Sequence, residues 1–176
     1  MDYVKIKLSS EDKEILKEIF DKLEDITIPS SFRNKGGQGH QIRTGSVSQK
    51  NARQTCFGLT YHHGQFKTSK STIKYPHILP LFIKFIKSHN PCFKFKSVYV
   101  NRNVVIKKHV DSKNMGKSLL VGFGEYTGGR TTIYDKNGKN GKKFHIKTNS
   151  LIFNGSELPH ESEPFKGIRY SLVFFS

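Results

Sequence analysis

The sequence has little of three things, and each shortage excludes a class of protein. Only two cysteines occur, Cys56 and Cys92, with no CxxC pairing. They frame neither a disulfide scaffold nor a structural zinc site, so reduced thiols are expected. No apolar run reaches the roughly 18 residues that a membrane-spanning helix needs. The N-terminus carries Asp2 early and lacks the apolar segment of a secretory signal. An intracellular protein, cytoplasmic or nuclear and without a membrane partner, is the expectation. Acidic residues are missing over a long stretch: from Ile26 through Val110 there is no Asp or Glu, against fifteen Lys or Arg.

What is present suits one domain over residues 1–176. At 35% hydrophobic and 12% aromatic, the chain can bury a core. The net charge is +16. The first 25 residues are mildly acidic, so the excess belongs to the middle of the chain, a candidate surface for a polyanion. AT-rich codon usage, which favours Lys, Ile and Asn, is a competing source of the lysines. It does not account for the missing acids.

The pattern divides into a helical and basic-loop flank, 1–92, and a strand-rich core, 93–176. A strand over Tyr3 to Leu8 precedes a helix over Glu11 to Leu23, with Ser9 and Ser10 as cap residues and Ile15, Leu16, Ile19, Phe20 and Leu23 as its buried stripe. Between Pro29 and Gln54 the Gly- and Ser-rich basic stretch reads as a long loop or arm. A second helix is predicted from about His77 to Lys87. From Phe93 the period becomes two. Strands are predicted near Phe95 to Val100, Val104 to His109, Ser118 to Phe123, Arg130 to Tyr134, Lys143 to Ile146, Leu151 to Phe153, Pro159 to Glu161 and Arg169 to Phe175. Many short strands with helices confined to the N-terminal half give an α+β, mainly β fold: a double-sheet jelly roll or barrel with N-terminal flanking helices.

His109-Val110-Asp111 puts an imidazole and a carboxylate on one face of an extended chain. Chance alone produces such a pair in roughly one chain in four of this composition. His160 adds a second imidazole, and two histidines with one carboxylate form a face that leaves positions open on Fe(II). Zinc accepts the same ligands. Arg169 and Ser171 share one face of an apolar strand, where a guanidinium needs an anion. That anion is either a bound carboxylate or an internal partner, Glu157, Glu161 or Glu163. His62 and His63 point to opposite faces and do not share an ion. His40, His77, His89 and His145 read as surface or hydrogen-bonding residues.

These residues resemble the Fe(II)- and 2-oxoglutarate-dependent oxygenases, whose core is a double-stranded β-helix. The resemblance runs from about Lys96 to Ser176. His109-x-Asp111 matches the proximal metal motif and His160 the distal histidine. Gly128-Gly129 matches the glycine pair before a core strand in prolyl-hydroxylase-like members, and Pro159-His160-Glu161 through Arg169-Tyr170-Ser171 matches the closing segment. The resemblance implies that His109, Asp111 and His160 hold Fe(II), that Arg169 and Ser171 bind 2-oxoglutarate, and that one of Tyr99, Asn101 or Asn103 assists. It also implies O₂ as oxidant, ascorbate as reductant in vitro, and release of succinate and CO₂ as a substrate C–H is hydroxylated.

The motif leaves the substrate open. The flank is basic, with Arg33, Lys35, Arg43, Lys50 and Arg53 and the hairpin Lys136 to Lys143. Phe57, Tyr61, Phe66 and Tyr75 are interleaved with Lys67, Lys70 and Lys74, the mixture wanted for phosphate tracking and base stacking, with packing in the core as the competing reading of those aromatics. Arg53-Gln54-Thr55-Cys56-Phe57-Gly58, Asn103 to Asp111 and Gly122 to Gly129 are similar to small oxygenase-like proteins of protists and large DNA viruses, some grouped with the ten-eleven-translocation and base-J-binding nucleobase oxygenases. Arg53, Tyr126, Lys107 and Lys108 are the candidate substrate contacts. The expectation is an oxygenase acting on a base or methyl group of DNA or RNA. The alternatives are a prolyl or lysyl hydroxylase of a peptide, favoured by the prolyl-hydroxylase-like segments, and a non-catalytic basic binding module.

Overall fold

The computed structural model describes residues 2–29 and 52–176. Most of the basic stretch between Pro29 and Gln54, including Arg33, Lys35, Arg43 and Lys50, lies outside the described residues, as does His40. The elements are β1 (Tyr3–Lys7), α1 (Ser10–Glu24), β2 (Arg53–His62), β3 (Gln65–Thr68), α2 (Lys70–Lys74), α3 (Leu79–His89), β4 (Ser97–Arg102), β5 (Ser118–Gly128), β6 (Thr131–Ile133), β7 (Lys142–Phe144), β8 (Asn149–Phe153), β9 (His160–Ser162) and β10 (Phe165–Phe175).

A capping box starts α1. The Ser9 hydroxyl accepts from the Asp12 N–H, and the Asp12 carboxylate accepts from the Ser9 N–H. The helix buries Ile15, Leu16, Ile19 and Leu23, a stripe worth roughly 1.5–3 kcal/mol per side chain before entropy is subtracted. That stripe meets Phe82, Phe85 and Ile86 of α3 on one face of the large sheet. A buried polar knot ties the same elements together. His89 at the end of α3 lies 2.8 Å from Asp12 Oδ2 and 2.6 Å from Ser150 Oγ, and the Ser88 hydroxyl donates to Asp12.

The strands form a seven-stranded sheet, β1-β8-β5-β10-β4-β2-β3, and a three-stranded sheet, β7-β6-β9. Every strand pairing is antiparallel. This is the expected double-stranded β-helix. Period-two alternation divides each central strand between two environments. Tyr170, Leu172 and Phe174 of β10 and Val98 and Val100 of β4 face the helical core. The intervening Arg169, Ser171 and Val173 of β10 and Tyr99 and Asn101 of β4 line a cavity on the other side.

Three expectations change. The run Val104 to His109 is not a strand. After β4, Asn103 adopts φ 55°, the chain turns, and isolated pairings replace the ladder: Ile106 with Ser162 and His109 with His160. Arg53 and Gln54, read as the end of the loop, begin β2, a strand that no expectation covered, and with β3 it extends the large sheet. Its polar and half-buried positions hide the alternation that betrays the other strands. Finally, β5 and β10 each run to eleven residues, because they pair with each other from Phe165↔Gly128 to Phe174↔Leu119.

Candidate active site

His109 and His160 exchange both backbone hydrogen bonds, at 3.1 and 3.0 Å, which sets their ring centroids 4.3 Å apart. Asp111 follows because its N–H donates to the Gly155 carbonyl at 2.8 Å. Each imidazole has Nδ1 against a backbone carbonyl, that of Lys107 at 2.8 Å for His109 and that of Leu158 at 2.9 Å for His160. A carbonyl only accepts, so Nδ1 carries the proton and Nε2 is turned toward the carboxylate. Nε2 of His109 lies 3.3 Å from one oxygen of Asp111, and Nε2 of His160 lies 3.2 Å from the other. One ligand atom from each residue falls within 4.8 Å of the others.

Burial disfavours the charged form of Asp111, yet its hydrogen bonds to both histidines outweigh that cost and hold its carboxyl far below the usual range. Burial also opposes protonation of His109, and the Asp111 carboxylate more than compensates, raising its pKa. The negative charge that attracts protons here is the charge a divalent cation would use, with release of those protons. The site has room for one. A Cβ at Gly155 would lie 3.1 Å from Asp111 Oδ2 and 3.3 Å from His160 Cε1, so any side chain there would press on two of the three clustered side chains. Two imidazoles and one carboxylate on one face suit Fe(II).

The triad opens into a cavity of about 210 Å³ that also receives Arg169, Ser171, Asn101 and Tyr99. Arg169 is 3% exposed. Its Nε donates to the Gly129 carbonyl at 3.2 Å, and its guanidinium carbon lies 5.6 Å from the centre of the Tyr126 ring. Among the described residues no carboxylate pairs with it. The three acids left open as partners are engaged elsewhere: Glu157 with Lys136, Glu163 with Arg130 and Lys143, and Glu161 with the Tyr134 hydroxyl. Burial pushes the Arg169 pKa down, the signature of a cation short of counter-charge. Beside it Gln54 donates to Asn101 at 2.6 Å and Asn101 donates to Ser171 at 3.2 Å. Ser171, accepting on its oxygen, keeps its O–H to offer an anion.

The remaining expected site residues separate. Asn103 does not line the cavity. Its side chain accepts from the Arg169 N–H and its own N–H donates to the Arg169 carbonyl, so it positions the arginine's backbone. Tyr126 is buried beneath Arg169, with Lys147 also over its ring at 4.3 Å. Lys107 contributes its carbonyl to His109. Lys108 donates to the Gly138 carbonyl and sits 3.7 Å from the centre of the Tyr134 ring, which joins it to the basic hairpin. Arg53 stands opposite Arg102 at the head of β2 and does not line the cavity. Its neighbour Gln54 does, and the sequence reading missed it because the strand was missed. Gly129 has φ +65°, and a Cβ there would lie 2.9 Å from Arg169 Nε. The second glycine of the pair noted in the sequence therefore makes room for the guanidinium, while the first, Gly128, lies against the Pro164 carbonyl.

No family model and no curated protein matches the sequence. Solved structures do resemble the fold. NgTET1 in complex with 5mC DNA aligns with a TM-score of 0.60 and 15% identity, covering 99% of this chain and 71% of that one. A prolyl hydroxylase from Trichoplax adhaerens, in complex with a peptide fragment of hypoxia inducible factor, gives 0.57 and 16%, covering 99% and 82%. An oxidoreductase of the 2OG-Fe(II) oxygenase family from Burkholderia pseudomallei gives 0.58 and 13%, covering 99% and 84%. No helix among the described residues is long and apolar enough to cross a membrane. The chain thus has the double-stranded β-helix fold of the 2-oxoglutarate- and Fe(II)-dependent oxygenases, with a His-Asp-His cluster and a buried arginine facing one cavity.

Proposed function

We propose that the protein is an Fe(II)- and 2-oxoglutarate-dependent dioxygenase that hydroxylates a base or methyl group of a nucleic acid. The observation that carries the reaction type is the pairing, in one cavity, of a two-histidine, one-carboxylate cluster with a buried guanidinium that has no carboxylate partner among the described residues. In this reading His109, Asp111 and His160 hold Fe(II). Arg169 and Ser171 bind the distal carboxylate of 2-oxoglutarate, and Tyr99 and Asn101 line the same space. When bound, the iron supplies the oxidising chemistry: one oxygen atom of O₂ enters the substrate C–H as a hydroxyl, the other enters succinate, and the co-substrate loses CO₂.

The protein contributes placement. The carbonyls of Lys107 and Leu158 hold the Nδ1 protons of His109 and His160, so each Nε2 faces the metal position. Asn103 fixes the strand position of Arg169 through its backbone. The apolar walls Leu120, Phe153 and Val173 limit water around the charged groups and so strengthen their interactions.

The nucleic-acid part rests on charge. No acid occurs from Ile26 through Val110, and the basic hairpin is joined to the segment carrying the metal motif through Lys108. DNA is also the ligand of one of the similar structures. A base oxidised in so narrow a cavity would have to be unpaired or flipped out of its stack. A second reading, hydroxylation of a peptide, is supported by the similar prolyl hydroxylase bound to one. The test is incubation of DNA, RNA and peptide panels with Fe(II), 2-oxoglutarate and ascorbate, reading succinate and product mass together. A gain of one oxygen on a nucleobase supports the whole proposal. Oxygen on a peptide instead moves the substrate to protein, and absence of succinate under every condition overturns the oxygenase itself.

A further inference from the structure

The outer part of the β2–β3 hairpin, residues 59–68, lines neither the cavity nor the core. Strand β2 keeps register with β4 only as far as Gly58, opposite Ser97; from Leu59 to His62 its ladder is with β3. Gly58 makes the departure possible. Its φ is +93°, and a Cβ there would collide with the Lys96 carbonyl oxygen. The ribbon then turns through His63 and Gly64, both at positive φ, 49° and 79°, the backbone signs of the tight turn whose twist matches that of its strands. It is a preorganised projection.

Near its end Tyr61 and Phe66 stand directly opposite each other, with ring centroids 5.1 Å apart. They are 63% and 52% exposed. The two other aromatics of the same stretch are not available in this way: Phe57 is fully buried, and Tyr75 bonds the backbone of Thr27. The Lys96 ammonium sits 4.4 Å from the centre of the Phe66 ring. Lys67, Lys70 and Lys74 are exposed nearby in the chain, and no acid occurs between Arg53 and Lys96. Large exposed rings are an informative departure from ordinary surfaces. An apolar partner would leave the lysines without counter-charge, and a simple anion would leave the rings in water. Unpaired bases joined by phosphates satisfy both.

We propose that Tyr61 and Phe66 form a docking platform for an unpaired strand of nucleic acid, whose bases stack on the two rings and whose phosphates pass Lys96. This rests on the nucleic-acid part of the proposed function and adds a second contact region remote from the reaction. Tyr61 lies seven positions along β2 from Gln54 at the cavity, a span of up to about 23 Å at strand rise. The platform therefore holds the strand well away from the base that enters the cavity, and a product strand can stay attached after that base leaves.

The test uses the full chain and a fluorescent, unstructured oligonucleotide of about 20 nucleotides, read by anisotropy at about 50 mM salt. Tyr61→Ala and Phe66→Ala should each weaken binding about tenfold, and the double variant about a hundredfold, within the range for loss of base stacking. Phe66→Tyr, which keeps the ring, should bind as the parent does. Lys96→Gln should flatten the salt dependence by about 0.7 in slope. A blunt duplex should be indifferent to the ring substitutions, and 2-oxoglutarate turnover without nucleic acid should be unchanged in them. Parental binding that survives the double variant overturns the platform and leaves the nucleic-acid substrate standing. Absence of oligonucleotide binding by the parent chain overturns both. Ring-dependent binding of an acidic peptide in place of the oligonucleotide assigns the platform to a protein partner and overturns the proposal.

Discussion

Replacing Arg169 by Met distinguishes an arginine built for an anion from one that only braces the fold. The guanidinium is 3% exposed, and its partners among the described residues are neutral: the Gly129 carbonyl at 3.2 Å and the Tyr126 side chain. Burying an ion costs several kcal/mol even after relaxation, and methionine of similar reach removes that cost. The variant without ligand should therefore melt no lower than the parent. Its co-substrate affinity should collapse, because truncating one partner of a buried, hydrogen-bonded charge pair costs about 2–5 kcal/mol, or roughly 30- to 5,000-fold in Kd. The assay is anaerobic thermal unfolding with Fe(II) and 2-oxoglutarate at about 100 times the parent's Kd. Ligand then stabilises the parent by about 2.7 kcal/mol, which for a chain of this size is a rise in Tm of about 5–11 °C. Arg169→Met at the same concentration should gain less than about 1 kcal/mol. An undiminished ligand shift, or an unliganded variant destabilised by about 3–5 kcal/mol as when a buried ion pair is broken, would refute the reasoning.

Asp111→Ala should abolish stoichiometric Fe(II) binding, measured by metal analysis after dialysis, together with all succinate formation; turnover that persists would remove the metal assignment. Gly155→Ala should weaken metal affinity while leaving far-UV circular dichroism unchanged, since its Cβ would press on Asp111 and His160, and unchanged affinity would mean that the ligands yield without cost. If the basic surface tracks phosphates through six or more contacts, oligonucleotide affinity should fall on the order of 10³-fold between about 50 and 200 mM salt; a flat response would return the lysines to codon usage. Arg130 is the main partner of Glu163 and, against the opposing effect of burial, holds its carboxyl down at about 2. The stability this gives is present above the unfolded carboxyl's range near 4.5 and is lost as pH falls toward 2, so the stability gap between parent and Glu163→Gln in urea should close over that window.

The two helices that carry the core were legible because their apolar residues recur at helical spacing, and Ser9 with Asp12 marks where α1 begins. The strands after Phe93 were legible from alternation. Strand β2 was not, because its outer half parts from β4 and pairs only with a fully exposed β3, so burial imposes no period on it. The site divides in the same way. His109 and Asp111 lie two residues apart and share a side wherever the chain is extended, which holds here even though the expected strand around them is absent. Asn103 shares that spacing with Tyr99 and Asn101, but positive φ at the end of β4 turns it from the cavity toward the Arg169 backbone.

By itself the sequence determined the donor atoms: two imidazoles, a carboxylate and an arginine with a serine two residues on, in an order and spacing that covalent geometry turns into shared faces. Tertiary structure decided what those atoms meet. Cross-strand bonds over fifty residues bring His160 to His109, and a glycine's missing side chain lets Arg169 lie buried beside Gly129. Of four aromatics alike in sequence, Phe57 packs into the core and Tyr75 turns to Thr27, while Tyr61 and Phe66 are carried into solvent. Periodicity along a chain is local, whereas burial depends on which distant segments arrive on each face, and only the assembled sheets decide that.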